Sequence, residues 1–149
     1  MSNLENLYQE IIVDHSRARH GEGTLEGPHF SHHELNPTCG DEITVRVRLD
    51  ASGERVEALA WEGQGCSISM ASASVLSDLV AGASVDDALA LAGAFREMLR
   101  SKGEGEPDED LLGDAIAFHG VSKYVMRVKC AMLSWVALEA AVGQARAAR

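Results

Sequence analysis

Residues Ile43, Val45, Val47 and Leu49 alternate without a break with Thr44, Arg46 and Arg48. A period of two places the apolar set on one face of a strand and the polar set on the other, so this stretch is half-buried sheet. A chain containing it needs a core on one side of that sheet and water on the other. Asp50-Ala51-Ser52-Gly53 then supplies turn chemistry. Residues 56–61 read as an antiparallel partner, with room for a third short strand before Gly63.

Elsewhere the period is that of helices. Leu4, Leu7, Tyr8, Ile11 and Ile12 predict an amphipathic helix over residues 3–15 that lies on the core. Residues 16–38 lose periodicity and gather Gly21, Gly23, Gly27, Pro28 and Pro37, the punctuation of a long surface loop. A helix is expected over 67–80, with Gly82 placed to end it. Ser84 with Asp87 resembles a capping box and opens another helix carrying Leu89, Leu91, Phe95, Met98 and Leu99. Residues 102–110 are glycine-rich and acidic and read as a solvated loop with no chemistry. A last helix over 127–145 turns Cys130, Leu133, Val136, Ala137 and Ala140 inward. The order predicts an α+β fold, a small antiparallel sheet of about three strands packed against several helices. The 149 residues, 1–149, are expected to form a single domain without internal repeats.

The formal net charge of −10 leaves no basic stripe, which argues against nucleic acid and suits a charged protein partner or simple solubility. The first residues show no cationic start followed by an apolar run, and no apolar stretch approaches ~18 residues. The expectation is a cytoplasmic chain with no membrane contact. Thiols stay reduced there, so Cys39, Cys66 and Cys130 are metal ligands or nucleophiles rather than a disulfide framework.

Zinc takes four ligands from thiolate, imidazole and carboxylate, and three cysteines leave one place open. In Cys39-Gly40-Asp41 the glycine permits a bend that can turn a thiolate and a carboxylate toward one ion. The cysteines are widely spaced and form no CxxC pair, so spacing alone does not decide whether they share a site.

The flanking sequences say more. Leu7-Tyr8-Gln9-Glu10-Ile11-Ile12-Val13-Asp14-His15, Asn36-Pro37-Thr38-Cys39-Gly40-Asp41, Gly63-Gln64-Gly65-Cys66-Ser67-Ile68-Ser69 and Arg127-Val128-Lys129-Cys130-Ala131 stand in order across nearly the whole chain. Together they resemble the IscU-like family of iron–sulfur cluster assembly proteins, and specifically its SufU branch. Scaffolds of the IscU type carry a histidine just before the last cysteine. Here that position is Lys129, a hydrated cation with no lone pair for a metal. The long interval from Cys66 to Cys130 also resembles the SufU branch.

The resemblance implies one Zn2+ held by Cys39, Asp41, Cys66 and Cys130. It also implies a zinc-dependent sulfurtransferase that accepts persulfide sulfur from a SufS-type cysteine desulfurase and passes it to downstream iron–sulfur assembly proteins. Cys39 would be the mobile ligand and working thiolate, replaced on zinc by a histidine of the desulfurase. Its place after the long loop agrees with that role, because loops move cheaply. Cys66 and Cys130 adjoin helix starts, where the dipole favours thiolates. The alternatives are a scaffold that assembles a [2Fe–2S] cluster on the same residues, or a structural zinc adaptor. Arg127, and less so Lys129, could steer the persulfide or pair with Asp41; both also read as plain surface cations.

The remaining candidates carry weaker readings. His29, His32 and His33 are expected to be solvated loop residues, and His15 to cap the first helix. Met70, Met98, Met126 and Met132 read as core filling, Glu10 and Asp14 as a solvated helix face, and His119 carries no reading.

Overall fold

The computed structural model describes residues 3–148. Helix α1 (Asn3–Ala18) is followed by strands β1 (Phe30–Asn36), β2 (Asp41–Leu49) and β3 (Val56–Gln64). Helices α2 (Ser67–Val80), α3 (Val85–Arg100) and α4 (Glu109–Leu112), a run of 3-10 turns (Gly113–Lys123) and helix α5 (Val125–Ala147) complete the chain. The sheet is antiparallel in the order β1-β2-β3, so the α+β expectation holds. Ile43, Val45 and Val47 are fully buried beneath helices, while Arg46 and Arg48 on the opposite face reach Glu62 at 3.4 Å and Glu57 at 2.7 Å on β3.

The third strand is not where the sequence placed it. β3 runs unbroken to Gln64, and the extra strand is β1, inside the expected loop. In β1 the half-buried positions are Phe30, His32 and Glu34, and the aliphatic Leu35 faces outward, half exposed. Polar residues on the inner side of an edge strand erase the hydrophobic period from which strands are read. The segment before β1 is also tied down. Trp61 N–H donates to Gly21 O at 3.0 Å and Gly23 N–H to Trp61 O at 2.9 Å, which covers the free edge of β3.

Helix α2 is the centre of the molecule. Every residue from Ser69 to Ser77 is buried, so no polar face exists, and its small serines and alanines let neighbours approach closely. The buried hydroxyls are partnered outward: Ser72 Oγ donates to Ala131 O on α5 at 2.6 Å and accepts from Trp135 Nε1 at 3.0 Å. Phe95 of α3 stacks on Trp135 with ring centroids 4.6 Å apart and meets Phe118 edge-on at 5.7 Å. Ser84 accepts from Asp87 N–H at 3.0 Å and caps α3, as its sequence predicts.

Four further expectations need correction. Helix α1 continues to Ala18; it lies on the core through Tyr8, Ile12 and His15, while Leu4 and Leu7 are half exposed. His15 does not cap that helix at the surface but is buried against Ser74 and Asp114. Met126 is exposed, while Met70 and Met98 are core. Helix α5 begins at Val125, one half-turn earlier than read, so Cys130 lies past the first turn. Phe95→Ala is therefore expected to cost about 3–5 kcal/mol in urea unfolding. Leu7→Ala, on the wetter face of α1, should cost under about 1 kcal/mol. Equal losses would show that Leu7 is a core residue after all.

Candidate metal centre

Three segments meet where β1 ends and β2 begins. The turn at 37–40 is closed by Gly40 N–H donating to Asn36 O at 2.8 Å and by Thr38 N–H donating to Asn36 Oδ1 at 3.1 Å. Gly40 takes φ +75°, a left-handed conformation that glycine adopts without Cβ strain. This tight turn, not a long loop, presents Cys39 and delivers Asp41 as the first residue of β2. Cys66 is the residue capping α2, and Cys130 comes from α5.

Their side chains converge. Cys39 Sγ lies 3.7 Å from Cys130 Sγ, and Cys66 Sγ lies 3.4 Å from Asp41 Oδ2. One ligand atom each from Cys39, Asp41 and Cys130 falls within 4.8 Å of the others. Asp41 is 3% exposed and Cys130 7%, whereas Cys39 and Cys66 open to solvent. The carboxylate is gripped: Cys66 N–H donates to Oδ1 at 3.1 Å and Ser69 Oγ donates to Oδ2 at 2.5 Å. Gly65 makes room for it, since a Cβ there would stand 2.6 Å from Asp41 Cγ.

Electrostatics follow from that packing. Burial pushes the Asp41 carboxyl up, but hydrogen bonds from Ser69 and the thiols of Cys130, Cys39 and Cys66 outweigh it and hold it below the usual carboxylate range. Burial, then the hydrogen bond to Asp41, raises the Cys130 thiol far above an ordinary thiol. The Cys130 thiol, buried beside a carboxylate that stays ionised, resists becoming a thiolate without a cation. No cationic side chain supplies one: among the described residues Asp41 makes no ion pair with Arg127 or Lys129, which are exposed. Arg127 instead lies over the Tyr124 ring at 4.9 Å. Cys39, Asp41 and Cys130 form a donor set that fits a divalent ion such as zinc, with the Cys66 sulfur outside that group but 3.4 Å from Asp41 Oδ2, and the ion's charge would reverse the Cys130 shift.

A family model described as "NifU-like N terminal domain" matches residues 7–131. The chain belongs to this family. The match takes in all three cysteines, Asp41 and Ser69. The chain is 42% identical over 144 residues to the zinc-dependent sulfurtransferase SufU of Bacillus subtilis, covering 96% of this chain and 94% of that protein. It is 41% identical over 142 residues to the iron–sulfur cluster assembly scaffold protein IscU of Streptococcus pyogenes, covering 95% and 86%. Among solved structures, a proposed cluster assembly scaffold for the SUF system from Fervidobacterium islandicum superposes with a TM-score of 0.81 at 35% identity, covering 89% of this chain and 94% of that one. In this NifU-like domain the SufU/IscU resemblance of the four sequence motifs is confirmed.

The expected histidines stay away from the thiols. His29 Nδ1 is 2.9 Å from Gly27 O, His32 pairs with Glu34 at 2.7 Å, and His33 with Glu42 at 3.6 Å. Sequence reading missed Ser69, which clasps Asp41 and can also donate to Cys130 O at 3.2 Å. Its signal was its place three residues after Cys66 on a helix, hence on the same face. Ser69→Ala leaves a buried carboxylate short of a donor. It is expected to destabilise the metal-free protein by about 1–3 kcal/mol in urea unfolding and to weaken zinc binding. Unchanged stability and affinity would show that Ser69 does not hold Asp41 in solution.

Proposed function

We propose that this NifU-family chain is a zinc-dependent sulfurtransferase, accepting persulfide sulfur from a SufS-type cysteine desulfurase for iron–sulfur cluster assembly. One observation carries the reading: three thiols and a buried, gripped carboxylate converge, with Cys39 exposed on a hairpin turn. The names of its SufU and IscU relatives support the sulfur and cluster context.

In this proposal Cys39, Asp41, Cys66 and Cys130 hold zinc. Bound there, zinc keeps the thiols ionised and balances their charge. Cys39 is the catalytic thiolate. Its sulfur attacks the outer sulfur of the desulfurase persulfide, the sulfur–sulfur bond of the donor breaks, and the desulfurase cysteine leaves as a thiolate. A persulfide then resides on Cys39, and no outside oxidant or reductant is consumed. Cys66 is poorly suited to that movement because its backbone N–H is bonded to Asp41, and Cys130 because it is buried within α5. Downstream iron–sulfur assembly proteins receive the sulfur, in a reducing compartment such as the cytoplasm. No described helix is long and apolar enough to cross a membrane. Arg127, exposed in the first turn of α5, is an auxiliary group that steers the anionic donor.

The second reading is a scaffold for a [2Fe–2S] cluster, favoured by the IscU relative, and metal content separates the two. Protein purified without added iron should be colourless with one zinc at this centre; a coloured, iron-bearing chain would favour the scaffold. Cys39→Ala should reduce stimulated desulfurase turnover to that of the desulfurase alone while the two proteins still bind. Undiminished turnover would rule out the transfer role.

A further inference from the structure

A second cluster of metal-binding side chains lies where α1 and α2 both end, and sulfur transfer makes no use of it. His15, in the last turn of α1, is 6% exposed; its Nδ1 is 2.8 Å from Ser74 Oγ and its Nε2 3.0 Å from Asp114 Oδ2. His20, just beyond α1, has Nδ1 2.8 Å from Asp78 Oδ2 in the last turn of α2. The two imidazoles meet edge to face with centroids 5.2 Å apart. One ligand atom each from His15, His20 and Asp78 lies within 4.8 Å of the others. We propose that His15, His20 and Asp78 form a second site, for a divalent transition metal ion of the zinc class.

The backbone is arranged for this. Arg19 adopts φ +49°, a left-handed conformation unusual for a residue with a side chain, and so turns the chain back from α1 toward α2. His20 is then pinned from both sides: its N–H donates to Ser74 Oγ at 2.9 Å and its carbonyl accepts from Trp61 Nε1 at 2.7 Å. A surface His–Asp pair alone does not require its backbone to be fixed against two buried side chains. Asp114 holds the His15 ring from another element, the carboxylate–histidine arrangement that orients metal ligands. Among the described residues both carboxylates pair only with these histidines and with no lysine or arginine. Their charge therefore remains available to a cation. Two imidazoles with a carboxylate suit zinc and its neighbours rather than calcium or magnesium, which prefer oxygen throughout. His15 is closed in by the protein, while His20 and Asp78 are each about half exposed, so an ion can enter from solvent.

The experiment is metal analysis of the full chain after equilibration with zinc buffered at sub-micromolar free concentration. The wild type is expected to hold two ions per chain. His20→Ala and Asp78→Asn should each hold one, and Cys66→Ser should hold one, retained at the histidines. Both single histidine-site variants alter exposed side chains and keep every backbone hydrogen bond, so matched urea unfolding confirms their fold. If His20→Ala and Asp78→Asn bind as many ions as the wild type, or the second ion appears only at millimolar zinc, the site is overturned. If instead Cys66→Ser loses no ion, the thiolate centre fails while the histidine site stands.

Discussion

The carboxylate of Asp41 is the constraint around which this molecule is arranged. It is almost completely removed from water, and a buried charge without partners would cost several kcal/mol. Both donors come from the start of α2, the Cys66 backbone and the Ser69 hydroxyl, and Gly65 must lack a Cβ for the approach to be possible. These bonds tie the hairpin turn to the β3–α2 junction, and the Cys130 thiol brings α5 to the same carboxylate.

Helix α2 transmits that constraint. Buried along most of its length, it contributes hydroxyls to its neighbours alongside the apolar Met70, Val75, Leu76 and Val80. Ser69 reaches Asp41 and Cys130, Ser72 joins α5 through Ala131 and Trp135, and Ser74 contacts His15 and the backbone of His20. Buried hydroxyls with satisfied partners fix position more sharply than aliphatic packing, because hydrogen bonds are directional. One helix thus sets the geometry of the thiol cluster at its start and of the histidine cluster at its end.

Much of this was legible in the sequence, and the failures have physical causes. The alternation from Ile43 to Leu49 identified β2 because one face is dry and the other wet. β1 escaped because His32 and Glu34 occupy its inner positions and Leu35 its outer one, so the period carried no hydrophobic contrast. Resemblance of the cysteine motifs gathered Cys39, Asp41, Cys66 and Cys130; the structure puts ligand atoms of Cys39, Asp41 and Cys130 within 4.8 Å of one another and the Cys66 sulfur 3.4 Å from Asp41 Oδ2. The sequence placed Cys66 just before α2, as the structure has it, but not Cys39 on a tight turn or Cys130 beyond the first turn of a long helix. Those depend on element boundaries, which local propensity defines poorly. His15 was misjudged for a similar reason, since its burial comes from Ser74 and Asp114, far away along the chain.

The account stands on Cys39 being the thiol that takes up sulfur. Its most direct measurement is peptide mass spectrometry of the zinc-loaded chain after brief turnover with a cysteine desulfurase and cysteine, with thiols and persulfides trapped by alkylation. The account predicts one additional sulfur atom on the peptide containing Cys39, with Cys66 and Cys130 unmodified. Extra sulfur on Cys66 or Cys130 and none on Cys39 would contradict it.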